Sequence, residues 1–140
     1  MTKVRRESRI IALQTLYEID CSTHRAEDVL ARLLQEKSLP EEAIDFTQSL
    51  VSGTLQNKQD IDNVIRRFAP AFPLEQIAII DRNILRLAIF EVLFDNKVPF
   101  KAAINEAVEL AKSFGSDTTP KFINGVLGSV VAQSIQEKKE

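Results

Sequence analysis

Residues 77–94 constrain this chain more than any other stretch, because they are helical in pattern yet apolar on almost every side. At about 100° per residue, Ile77, Ile80, Ile84, Leu85, Leu87, Ala88, Ile89, Val92, Leu93 and Phe94 cover most of the circle. Arg82 and Arg86 share the one polar strip. A helix with this pattern is buried, and other helices must surround it. Phe72-Pro73-Leu74 announces its start; Asp95-Asn96 ends it, and Val98-Pro99 blocks continuation.

The flanking segments supply those helices. Residues 4–19 set Val4, Ile11, Ala12, Thr15 and Ile19 on one face and Arg5, Arg6, Arg9, Leu13 and Tyr17 on the other, which predicts an amphipathic helix with a basic N-terminal end. Cys21-Ser22-Thr23 offers caps for a second helix up to Gln35. Ser38-Leu39-Pro40-Glu41 reads as a capping box for a third, to about Gln56. Asn57 and Asp60 open a short fourth helix that Pro70 and Pro73 stop. Beyond the central helix, residues 102–114 place Ile104, Ala107, Val108 and Ala111 on one face, with Glu106 and Glu109 at solvated spacing and Gly115 as the stop signal. Asp117-Thr118-Thr119 caps a last helix over 121–134, with the tail 136–140 frayed. No repeat or strand-period alternation interrupts this series, so the expected fold is all-α, with about seven helices in two helical subdomains (1–70 and 71–136) sharing one core.

Composition narrows function by exclusion. With 44% apolar residues, 140 residues can bury a core without staples. A net charge of −2 argues against indiscriminate coating of nucleic acid. One cysteine, Cys21, and one histidine, His24, leave no disulfide and no thiol or imidazole cluster for a metal, and a cytoplasmic setting is expected. There is no glycine-rich phosphate loop and no nucleophile elbow, so neither an enzyme nor a cofactor is expected. No apolar run suggests a signal peptide or a membrane span.

Two corners of the chain carry a different signal. Lys3, Arg5, Arg6 and Arg9 outnumber Glu7 at a helix N-terminus, where positive charge opposes the macrodipole. Arg6, Leu13 and Tyr17 fall in a narrow arc with Arg9 beside it, an arrangement suited to holding phosphates and stacking a base. The plain alternative is a solvated helix terminus. At the start of the last helix, Lys121, Phe122 and Asn124 stand beside exposed N–H groups that favour anions. The alternative there is that Phe122 is core and that Gly125 and Gly128 only let a neighbouring helix approach closely.

The segments Asp81-Arg82-Asn83-Ile84-Leu85-Arg86-Leu87-Ala88-Ile89-Phe90-Glu91, Val98-Pro99, Ala103-Ile104-Asn105-Glu106-Ala107-Val108-Glu109-Leu110-Ala111-Lys112, Phe114-Gly115 and Lys121-Phe122-Ile123-Asn124-Gly125-Val126-Leu127 resemble the NusB transcription antitermination factor family. Arg5-Arg6, Arg9, Ala12-Leu13 and Leu16-Tyr17 look like that family's opening helix, whereas residues 24–75 match only in helical pattern. The resemblance implies an all-helical protein without catalysis. It implies binding to the single-stranded boxA element of nascent ribosomal RNA, pairing with the small-subunit ribosomal protein NusE, and action on RNA polymerase with other Nus factors. The RNA contacts it implies fall on Arg5, Arg6, Arg9 and Tyr17, and on Lys121, Phe122 and Asn124. Asp81, within an otherwise apolar arc, is expected at the protein-partner surface. Two departures stand out: Glu7 interrupts the arginine run, and Pro120 precedes the Lys121-Phe122 pair. A helical adaptor that binds only protein is the alternative reading, and because apolar helix faces serve a core or a homodimer equally well, monomer and homodimer are both open.

Overall fold

A computed structural model describes residues 3–139, with side chains to residue 137, and among these there are seven α-helices and no strand. They are α1 (Lys3–Asp20), α2 (Ala26–Gln35), α3 (Glu41–Gln56), α4 (Lys58–Phe68), α5 (Ile79–Ile89), α6 (Phe100–Phe114) and α7 (Thr119–Lys139). The last helix thus continues through most of the tail expected to fray, and Glu140 lies outside the described residues. None of these helices is long and apolar enough to cross a membrane.

α5 is the centre, as its composition requires. It packs against α1, α3, α4, α6 and α7, and every residue from Asn83 to Ile89 is buried. One apolar cluster joins Leu13 and Leu16 of α1, Leu50 and Val51 of α3, and Ile61 and Ile65 of α4. It continues through Ile84 to Phe90, Leu110 and Ala111 of α6, and Ile123 and Leu127 of α7. Ala69 and Leu74 both belong to it, so the core is continuous across the proline-rich stretch 70–73.

The central segment is not one uninterrupted α-helix. A short 3-10 turn, Leu74–Gln76, precedes α5, and a π-helical turn, Phe90–Asp95, follows it. The π turn closes where the Asn96 N–H donates to the Glu91 carbonyl at 2.9 Å. Asn96 is left-handed there (φ 54°), a conformation that asparagine tolerates better than most residues. The ring of Phe90 lies over Gly53 of α3, with Cζ 2.2 Å from where a β-carbon would stand. Glycine is what permits that approach.

Arg82 and Arg86 are not a solvated strip. Arg86, 5% exposed, donates from Nε and Nη2 to Asp62 of α4 (2.8 and 3.2 Å) and from Nη1 to Asp20 at the end of α1 (2.9 Å). Arg82 holds the same Asp20 through Nε and Nη2 (2.8 and 3.0 Å), and Asn83 Nδ2 adds a fourth donor at 2.8 Å. Charges taken out of water must be paired in this way, and the network ties α1, α4 and α5 together. The expected hydroxyl caps are also placed differently. α2 and α3 begin after Arg25 and Pro40 without side-chain caps, and Ser22 instead donates to the Glu18 carbonyl (2.6 Å), closing α1.

Candidate nucleic-acid interface

The basic end of α1 divides into three arginines with three fates. Arg5 is exposed, and its guanidinium lies over the Phe46 ring of α3, 4.6 Å from the centroid. Arg6 is half-exposed and donates from Nε and Nη2 to both carboxylate oxygens of Glu106 on α6 (3.1 and 2.7 Å). A bidentate fork of this kind fixes the guanidinium plane and leaves Nη1 and the flat faces outward. The hydrogen bond from Arg6 holds the Glu106 carboxyl below its usual range, against a smaller opposing effect of burial. Glu106 is therefore a buried partner, 4% exposed, rather than the solvated residue its spacing suggests.

Arg9 departs from the expected surface strip altogether. It is 1% exposed and donates from Nε and Nη2 to Glu91 of the π turn at 2.8 and 2.7 Å. Its guanidinium is spent inside the protein, so Arg9 is a structural residue that positions the start of α1 against the centre of the fold. The heptad-like arc that groups Arg6, Leu13 and Tyr17 also breaks up, because Leu13 is fully buried. Tyr17 is 41% exposed, not among arginines but at the edge of an apolar groove with Leu33, Ile80 and Phe114.

At the other corner α7 begins two residues earlier than its periodicity predicts, at Thr119, with Pro120 in the first turn where its missing N–H costs nothing. Thr119 is buried; its Oγ1 accepts from the Ser116 N–H (2.9 Å) and donates to Asp81 Oδ1 (3.0 Å). A β-carbon at Gly115 would stand 2.6 Å from Thr119, so glycine is needed for the chain to fold back there. Asp81 thus joins the first turn of α5 to that of α7, and burial raises its carboxyl despite the Thr119 bond.

Lys121 and Asn124 are exposed, as are Asp117 and Thr118. Phe122 falls between its two alternatives: half-buried, it packs against the core cluster and also lines an apolar cleft with Phe68, Pro70, Phe72 and Gly125. Gly125 and Gly128 face open space, with nothing within 4 Å of an added β-carbon, so no close helix approach explains them.

Sequence reasoning missed Phe46, Glu91 and Glu106. An acid inside an apolar run is itself a sign of a buried cation, so Glu91 was open to inference. Phe46, on a segment with no distinguishing motif, was not.

Residues 6–132 match the model of the NusB family. The transcription antitermination protein NusB of Dehalococcoides mccartyi (strain CBDB1) is 52% identical over the whole of both chains. Among solved structures, T. maritima NusB is 30% identical with a TM-score of 0.85, covering 93% of this chain and 92% of that one. The antitermination factors NusB and NusE in complex with dsRNA include a chain of the same fold, with a TM-score of 0.85, 24% identity and coverage of 93% and 97%.

Proposed function

The chain belongs to the NusB family, and from that premise we propose that it is a non-enzymatic antitermination factor that binds the boxA element of nascent ribosomal RNA. In this reading it does so as single-stranded RNA, together with the ribosomal protein NusE, and acts with other Nus factors on RNA polymerase elongation. The observation that carries the reading is the exposure of cations at two helix starts, with the half-buried Phe122 ring beside the second and Tyr17 farther along α1. Arg5 and Arg6 on α1 and Lys121 on α7 supply charge; Phe122, Asn124 and Tyr17 supply stacking and edge contacts. Arg9 supports this surface from within by its bond to Glu91. The N-terminal subdomain would present the first corner and the C-terminal subdomain the second.

The partner is assigned to the first turn of α5. Ala78, Ile79 and Ile80 form part of the apolar groove beside Tyr17, and Asp81 follows them. The same groove is what favours the second reading, an adaptor that binds protein alone.

Titrating boxA-like and scrambled RNA of equal length at two salt concentrations separates the readings. We expect tighter binding of the boxA-like RNA and a salt slope that Lys121→Ala lowers by about one unit. Equal affinity for the two RNAs would refute sequence-selective binding, and no binding at all would leave the adaptor. Asp81→Lys should weaken capture of the ribosomal protein while RNA affinity holds; an unchanged complex removes Asp81 from the interface.

A further inference from the structure

Between the two corners lies α6, whose exposed crest carries Lys101 and Asn105. Lys101 and Asn105, one helical turn apart, form with Ile104 and Val108 one wall of a cleft of about 610 Å³. Pro120, Lys121 and Asn124 of α7 form the other wall. Both lysines and both asparagines are exposed. Among the described residues no acidic side chain lines the cleft, although the chain has 20 Asp and Glu against 18 Lys and Arg. The first turn of α7 opens onto it, so the positive end of that helix adds to the two ammonium groups.

The cleft and the α1 corner are both built on α6. Asn105 is followed by Glu106, which holds Arg6 at 2.7 Å, and about 100° of helical rotation separates the two side chains. Lys101 and Asn105 thus stand on the helix that pairs with Arg6 on one side and packs against Lys121's helix on the other.

We propose that the α6–α7 cleft is a nucleotide subsite on the path of single-stranded RNA. Lys101 and Lys121 hold backbone phosphates there. The amides of Asn105 and Asn124 bond the edge of a base that rests on Ile104, Val108 and Pro120. An amide offers both donors and an acceptor, which is what a base edge requires and what an acidic peptide would leave half used. The inference rests on the RNA-binding reading above and extends it to a helix from which no contact was expected.

Anisotropy titrations of a labelled boxA-like RNA with the full chain, at two salt concentrations, test it with Lys101→Ala, Asn105→Ala and the control Lys112→Ala. Lys112 lies on the same helix, paired with Glu109 at 3.3 Å and outside the cleft. Lys101→Ala should weaken binding about five- to tenfold and lower the salt slope by about one. Asn105→Ala should weaken it about fivefold with the slope unchanged. Lys112→Ala should stay within about twofold of the parent, as a solvated and paired charge does. If the parent chain binds RNA and both cleft variants match it, the subsite is overturned while the family reading stands. If the parent chain binds no RNA, that reading falls and takes the subsite with it. Loss of ribosomal-protein capture by the cleft variants at full RNA affinity would make the cleft a protein contact and overturn the inference.

Discussion

Replacing Arg9 by alanine should bring the protein close to unfolding instead of merely weakening its hold on RNA. The Arg9 side chain is 1% exposed and that of Glu91 4%, and they are joined by two bonds of 2.8 and 2.7 Å. Removing the guanidinium strands a buried carboxylate, which costs about 3–5 kcal/mol. The lost contact with the Phe46 ring, 5.3 Å from the guanidinium, adds to this. For a domain whose whole stability is ~5–15 kcal/mol, such a loss lowers Tm by about 10–20 °C. Glu91→Ala should cost a similar amount, because it strands the arginine instead. The double variant Arg9→Met/Glu91→Leu should recover most of the loss, since an apolar pair of similar volume carries no desolvation penalty. Thermal melts of the four proteins test this order of stabilities. RNA titrations on the double variant should then show the parent's salt slope, because neither side chain faces solvent. An Arg9→Ala protein that melts within about 2 °C of the parent and loses about one unit of salt slope would put that guanidinium on the RNA and refute the reasoning.

Burial pushes the Asp20 carboxyl up, but hydrogen bonds from Arg82 and Asn83 and the charge of Arg86 hold it down to about 2. Because the folded value lies below the unfolded one, its stabilisation is present above about pH 4 and is lost as pH falls toward 2. Asp20→Asn should remove about 2 kcal/mol of this pH-dependent stability, read by urea melts from pH 5 to pH 2, and an identical pH profile would count against the network. Gly53→Ala should cost about 1–3 kcal/mol by driving a methyl into the buried Phe90 ring, with Phe90→Leu restoring part of it. Phe122→Ala should stay folded, losing less than the ~3–5 kcal/mol of a fully buried ring while lowering RNA affinity by ~1–3 kcal/mol. Tyr17→Ala should lose RNA affinity with a smaller shift in Tm, and an unfolded Phe122→Ala protein would return that residue to the core.

The sequence by itself determined the helical class, the number of helices and the burial of α5, because each rests on spacing within a few turns of chain. Ile84, Leu85 and Ile89 repeat at helical intervals whatever surrounds them, and all three are fully buried. The two corners were legible for the same reason: Arg5 and Arg6 cluster at one helix start, and Lys121, Phe122 and Asn124 at another. What spacing does not carry is the partner of a charge. Arg9 meets Glu91 across 82 positions, Arg6 meets Glu106 across 100, and Arg82 meets Asp20 across 62. A charged residue on a helix has the same periodicity whether water or a distant carboxylate surrounds it. Only the tertiary structure therefore decided that Arg9, Arg86 and Glu106 lie inside, while Arg5 and Lys121 stand at the surface.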